Sequence, residues 1–135
     1  MLVLDTHVLI WLMNGDPKLG PPIRDRIERA GLADEALLPA AAFWEIAMLV
    51  WKRRLELEAP VASWARDVMA LPGIAVVPLT PEIAIESYAL PGRFHDDPAD
   101  RMIVGTARVT GATLVTRDRA ILRYGEAGHV SVLAA

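Results

Sequence analysis

The chain contains no cysteine, which excludes disulfides and thiolate-bound metals. No apolar run reaches the roughly 18 residues of a membrane span. The longest, Ala36 to Trp51, is interrupted by Pro39 and Glu45. The opening, MLVLDTHVLIWLMNG, lacks a basic leader and carries Asp5 and His7 inside its apolar stretch. It does not read as a signal peptide, and the expected location is the cytoplasm. Net charge is −3, so no global positive field draws nucleic acid; such a role needs local basic patches or bound cations. There is no glycine-rich phosphate loop, and no serine or cysteine nucleophile stands beside a histidine. His7, His95 and His129 are isolated, without a pair at metal-ligand spacing, and read as structural or surface residues. His95 alone precedes an acid-rich block. Without repeats, low-complexity tracts or linkers, the 135 residues read as one domain, 1–135.

What is present is apolar. Hydrophobic residues make up 53% of the chain, and the mean hydropathy is +0.31. That suffices for a sizeable core and leaves apolar surface for a second copy or another chain. Short apolar runs at 1–5, 36–38, 74–79, 113–116 and 129–133 read as strands. Between them lie helical stretches: Thr6 as a cap with a helix to about Asn14, a helix containing Ile23 and Ile27 that stops at Gly31, and one opened by Pro39 and running to about Arg54. Further helices are expected over Val61–Leu71 and from Pro81 to before Pro91-Gly92. Asp97 with Pro98 behind it caps a helix to about Thr110, and a short helix spans Asp118–Tyr124. Strands alternating with helices imply an α/β fold, a mostly parallel sheet covered on both faces.

In such sheets ligands bind beyond the carboxyl ends of the strands. The first strand ends in Asp5, and TLVT is followed by Arg117 and Asp118. Glu45, the only charge in its apolar run, and Asp100 of HDDPADR lie early on helices. If these acids converge, they do so against electrostatics: two like charges about 4 Å apart repel by roughly 4 kcal/mol at an effective dielectric of 20. A hard divalent cation relieves this, and all-oxygen ligands favour Mg²⁺ or Mn²⁺. The chemistry implied is phosphodiester hydrolysis. Plainer readings stand beside it. Asp118 serves equally as a helix cap, Asp97 reads as a cap, and Asp96 as a solvated loop charge. Arg101, next to Asp100, reads as its salt-bridge partner. The run Lys52-Arg53-Arg54 reads as a solvated helix end or as a phosphate contact. Trp44 and Trp51 share a helical face suited to packing or to a partner.

Four blocks, in order and spanning nearly the whole chain, carry a resemblance: LDTHVLIWLMNG, WEIAML with RRLEL after it, HDDPADRMIVGTA, and LVTRDRAILRYGEAGHVSVL. Together they resemble a PIN-domain ribonuclease of the VapC type, the toxin of a type II toxin–antitoxin pair. The resemblance implies a five-stranded parallel sheet and a Mg²⁺- or Mn²⁺-dependent endoribonuclease acting on RNA. It also implies a homodimer held inactive by a cognate antitoxin. By position it assigns metal binding and catalysis to Asp5, Glu45, Asp100 and Asp118. Asp97 takes a less uniform role, and Thr116 a hydroxyl position near the site. Two departures concern residues other than acids. Pro39 and Ala42 stand where relatives place serines, and Arg53 where they place glycine in KGRL.

Three rivals are weaker. A phosphorylated receiver domain carries adjacent acids after its first strand and a lysine after its last, but only Asp5 is present and no lysine follows Lys52. A DxDxT phosphatase lacks its second aspartate, since Thr6-His7 follows Asp5. A catalytically silent PIN fold that only binds RNA or protein is the remaining alternative; such relatives often lose acids that this chain keeps.

Overall fold

Strand β1 (Leu2–Leu4) is a short, wholly buried apolar segment with a neighbouring strand on each side of it. A computed structural model covers residues 1–135. Its five strands are β1, β2 (Ala36–Pro39), β3 (Ile74–Val77), β4 (Thr113–Thr116) and β5 (Val132–Ala134). They form one sheet in the order β3-β2-β1-β4-β5, every pair parallel. The side-chain period of two divides the core. Leu2, Leu4, Ala36, Leu38 and Val115 point to one face, under α1 (Thr6–Asn14), α2 (Pro21–Leu32) and α4 (Val61–Met69). Val3 and Leu114 point to the other, against Ile103, Val104 and Ala107 of α6 (Pro98–Thr110) and Ile121 and Tyr124 of α7 (Arg119–Glu126). Burial on both faces explains why the strands read as continuous apolar runs.

The expected elements are all present, with shifted ends. Asp5, not Thr6, caps α1: its carboxylate accepts from the Thr6 N–H at 2.8 Å, and Thr6 is the first helical residue. Pro39 closes β2 instead of lying inside the helix, and α3 (Ala40–Trp51) starts with no side-chain cap. That fits the loss of the serine that relatives carry there. Helix α3 also ends three residues before Arg54. The Arg54 N–H reaches back to the Leu49 carbonyl, and Arg53 takes a left-handed φ of 59°. This is the turn where a glycine normally closes a helix, which explains the glycine of KGRL. Strand β3 stops at Val77 because Pro78 has no N–H to donate. Helix α5 (Pro81–Glu86) stops short, and the Ser87 carbonyl, which would face the missing N–H of Pro91 in a longer helix, accepts from Arg101 at 2.9 Å.

Candidate metal centre

The parallel sheet sends β1 and β4, its central strands, toward the same edge, and each hands over directly to a helix cap. Asp5 sits where β1 becomes α1 and is 7% exposed. One carboxylate oxygen accepts from the Thr6 N–H, and the other accepts from the Thr116 hydroxyl at 2.5 Å. The same hydroxyl accepts from the Asp118 N–H at 3.0 Å, so Thr116 fixes the two strand ends against each other. Asp118 caps α7 by accepting from the Ile121 N–H at 3.0 Å, and its carboxylate also lines the pocket. Its capping and pocket-facing readings are therefore compatible.

Helix α6 supplies the third acid. Asp97 caps it, accepting from the Asp100 N–H at 2.9 Å. Asp100 lies one turn in and points back over the sheet edge. Its neighbour is not Arg101, as adjacency in sequence suggests. Consecutive helical residues point about 100° apart, and the Arg101 guanidinium is engaged elsewhere. It donates to the carbonyls of Ser87 and Phe94, each at 2.9 Å, and holds the loop before α6. That loop carries His95. The His95 Nδ1 accepts from the Asp97 N–H at 3.2 Å, which places the ring proton on Nε2, 3.1 Å from an Asp100 oxygen. His95 thus orients Asp100 by donating to it from Nε2. Sequence alone gave His95 position but no partner.

Glu45 comes from α3, and it faces this pocket rather than the core: its neighbour Ile46 is fully buried while Glu45 is half-exposed. Its one neighbouring donor is the buried Thr6 hydroxyl, which has no other partner. Asp5, Glu45, Asp97, Asp100 and Asp118 line a pocket of about 350 Å³, whose other walls are His7, Trp11 and Arg117. Oxygens of Asp5, Glu45 and Asp100 lie within 4.8 Å of one another. No lysine or arginine is paired with any of them. Arg117 lies 4.5 Å over the Trp11 ring and donates to the carbonyls of Lys18 and Ala135. The His7–Trp11 wall was legible in principle, because a helix that begins at Asp5 places positions 7 and 11 on one face.

The electrostatic cost is visible in protonation. Burial, then the charges of Asp5, Asp97, Asp118 and Glu45, push Asp100 up to about 8. Burial raises Asp5 against the opposing hydrogen bonds from Thr116 and Thr6, and raises Glu45 with help from the charges of Asp5 and Asp97. A hard cation among these oxygens would remove both burdens, desolvation and repulsion. The donor set is all oxygen at its centre and fits such an ion.

Residues 2–127 match the family model of the PIN domain. Ribonuclease VapC22 of Mycobacterium tuberculosis is 34% identical over 131 residues, 97% of each chain. Among solved structures, VapBC2 from Rickettsia felis, bound to a DNA fragment from its promoter, superposes with a TM-score of 0.72 at 14% identity. It covers 98% of this chain and 97% of that one. The DNA-bound VapBC from Salmonella typhimurium gives 0.70 at 20% identity, covering 98% and 96%.

Proposed function

The chain belongs to the PIN-domain family, in its VapC-type branch, and on that premise we propose that it is a metal-dependent endoribonuclease toxin that hydrolyses RNA phosphodiester bonds. The observation that carries this reading is the meeting of Asp5, Glu45, Asp100 and Asp118 in one pocket with no lysine or arginine paired to them. We assign these four acids to catalysis and to holding Mg²⁺ or Mn²⁺. When bound, such an ion polarises a phosphoryl oxygen and acidifies a water. The side chains divide the remaining work. Asp5 is fixed by the Thr6 N–H and the Thr116 hydroxyl, Asp118 by its cap and Asp100 by His95. Glu45, fixed by no backbone N–H or histidine and with only the Thr6 hydroxyl beside it, is the acid free to take a proton from an attacking water.

The partners follow the same premise. A cognate antitoxin is supported by the relatives solved as VapBC assemblies and by an apolar groove of about 720 Å³. Leu12, Met13, Ile27, Leu32, Leu71 and Ile74 line it. A homodimer is supported by exposed Trp44, Trp51, Ile85 and Tyr88. Trp44 and Trp51, one helical face, are surface residues, whereas Trp64 joins the core. The protein is read as a single domain, 1–135, acting in the cytoplasm. No helix is long and apolar enough to cross a membrane.

The test is direct. Purified protein should cut RNA with Mg²⁺ or Mn²⁺ and stop in EDTA, and its toxicity on expression should vanish when the cognate antitoxin is co-expressed. RNA binding without cleavage, with metal present, would replace this reading with the catalytically silent module.

A further inference from the structure

A second pocket, of about 390 Å³, adjoins the acidic one across the loop that carries His95. Its walls are chemically the reverse. Arg93, Phe94 and His95 of the loop face Arg123 and Tyr124 of α7, with His129 behind them, and no carboxylate lines the space. The rings form a continuous wall. Centroids are 4.3 Å apart for His95–Phe94, 4.9 Å for Phe94–Tyr124 and 4.6 Å for Tyr124–His129.

The wall is built, not incidental. Gly92 turns the loop at a φ of 67°, and a Cβ there would stand 2.9 Å from the His129 ring. The left-handed φ favours glycine, and any side chain there would push the His129 ring aside. The Tyr124 hydroxyl donates to the Pro91 carbonyl and Arg101 to that of Phe94, so the loop is tied at two points. Against this fixed wall, Arg93 and Arg123 are exposed, and neither has an ion pair or a hydrogen bond. Among the other arginines in this half of the fold, Arg101 is engaged with carbonyls, Arg108 with Glu86 and the His129 carbonyl, and Arg117 with carbonyls and Trp11, while Arg119 is exposed and lies outside this pocket. Two unpaired guanidiniums beside an aromatic wall suit a phosphate and a base together.

We propose that this pocket is the subsite for the nucleotide next to the scissile phosphate of single-stranded RNA. The base stacks on the accessible rings of Phe94, His95 and His129, which the buried Tyr124 backs, and Arg93 and Arg123 hold its phosphate. This rests on the ribonuclease reading of the acidic pocket. The adjacency supplies the register: His95 lines the basic pocket while its Nε2 lies 3.1 Å from Asp100, so a strand seated in one lies at the mouth of the other. A base can enter only when unstacked, which favours single strands over duplex. The arrangement also answers how a chain of net charge −3 brings an anionic polymer to an acidic site.

The test measures binding of a labelled, mixed-sequence, 12-nucleotide single-stranded RNA by anisotropy across a salt series. It is done in the Asp5→Asn background, where cleavage is off. Adding Arg93→Ala with Arg123→Ala should weaken binding about tenfold or more. It should also flatten the log–log salt slope by about 0.7, the value for one lost phosphate contact to a single strand. Thermal unfolding, and Mn²⁺ uptake measured without the Asp5 change, should stay as they were, because both arginines are exposed and unpaired. Duplex RNA of the same length should bind more weakly than the single strand. Unchanged affinity and slope, in a protein whose wild type cuts RNA, would remove the subsite and leave the nuclease standing. Equal affinity for duplex would overturn the single-strand assignment. A wild type that neither cuts nor binds RNA would remove both.

Discussion

Asp100 and Ile103 lie on the same helix, less than a turn apart, and their surroundings are opposites. Ile103 is fully buried among Val3, Leu114 and Ile121, where every contact favours folding. Asp100 is half-buried among Asp5, Asp97, Asp118 and Glu45, where burial and repulsion both oppose its charge. The middle of α6 is shaped for stability, and its first turn, on much the same side of the helix, holds an arrangement that stability alone would remove. The contrast teaches where the reason for a residue lies. For Ile103 it is in the folded chain itself. For Asp100 it is in something the chain binds.

The sharpest way to break this comparison is to remove an acid and measure cleavage. Asp5→Asn keeps the shape and loses the charge. Turnover of RNA should fall beyond the about 10- to 100-fold typical of residues that only support a metal ligand. Retained activity would end the assignment of the pocket. On the core side, Ile103→Ala should cost about 2–5 kcal/mol in denaturant unfolding, equally with and without Mn²⁺. A dependence on Mn²⁺ would show that the core and the acidic site are not separable.

Asp100→Asn should move the other way. In EDTA it should melt at the same or a higher temperature than the wild type, because a repelled charge is gone. Excess Mn²⁺ should then stabilise the wild type by mass action and the variant much less. The pH dependence carries a sign. The Asp100 carboxyl is raised from an ordinary 3.8 to about 8 in the folded metal-free protein. Its contribution to stability is therefore fully present below pH 3.8 and is lost as pH rises through about 8. Metal-free wild type should weaken over that window, and the variant should lack this part of the slope. Mn²⁺ displaces the proton, so its stabilising effect on the wild type should grow toward pH 8. A variant less stable in EDTA, with an unchanged Mn²⁺ response, would mean that Asp100 is a structural residue like Ile103.

The smallest expected effect lies at the end of α3. Arg53 holds a left-handed conformation that costs a non-glycine residue about 1–2 kcal/mol. Glycine loses more entropy on folding, so Arg53→Gly should raise stability by about 0.5–1 kcal/mol without changing Mn²⁺ uptake. A loss would show that the arginine side chain holds that turn.

Much of this was legible before the fold was seen. Alternating apolar runs and punctuating prolines and glycines placed all five strands, because burial on both faces leaves no other pattern. Asp97-Pro98 and Gly111 bounded α6 correctly, since cap chemistry is local. Glu45 stood out because nothing in its own helix explains its charge. Sequence was silent where partners come from elsewhere in the chain. Arg101 reads as the partner of Asp100 only until the helix turns it toward Ser87 and Phe94. The basic pocket joins a loop near residue 93 to a helix near residue 123 and shows no local motif. Helix ends moved by one to four residues where a tertiary hydrogen bond or a proline competed with propensity.

The hydrogen bond from Thr116 to Asp5 spans 111 residues of sequence. At ribosomal speeds of about 5–20 residues per second, roughly 6–22 s pass between the synthesis of one end of that bond and the other. Strand β1 can find β2 early, but its other edge and the second strand end of the acidic rim arrive only with β4. The catalytic pocket proposed above therefore stays unassembled through most of its own translation. The messenger being read is out of reach of its product until that product is nearly complete.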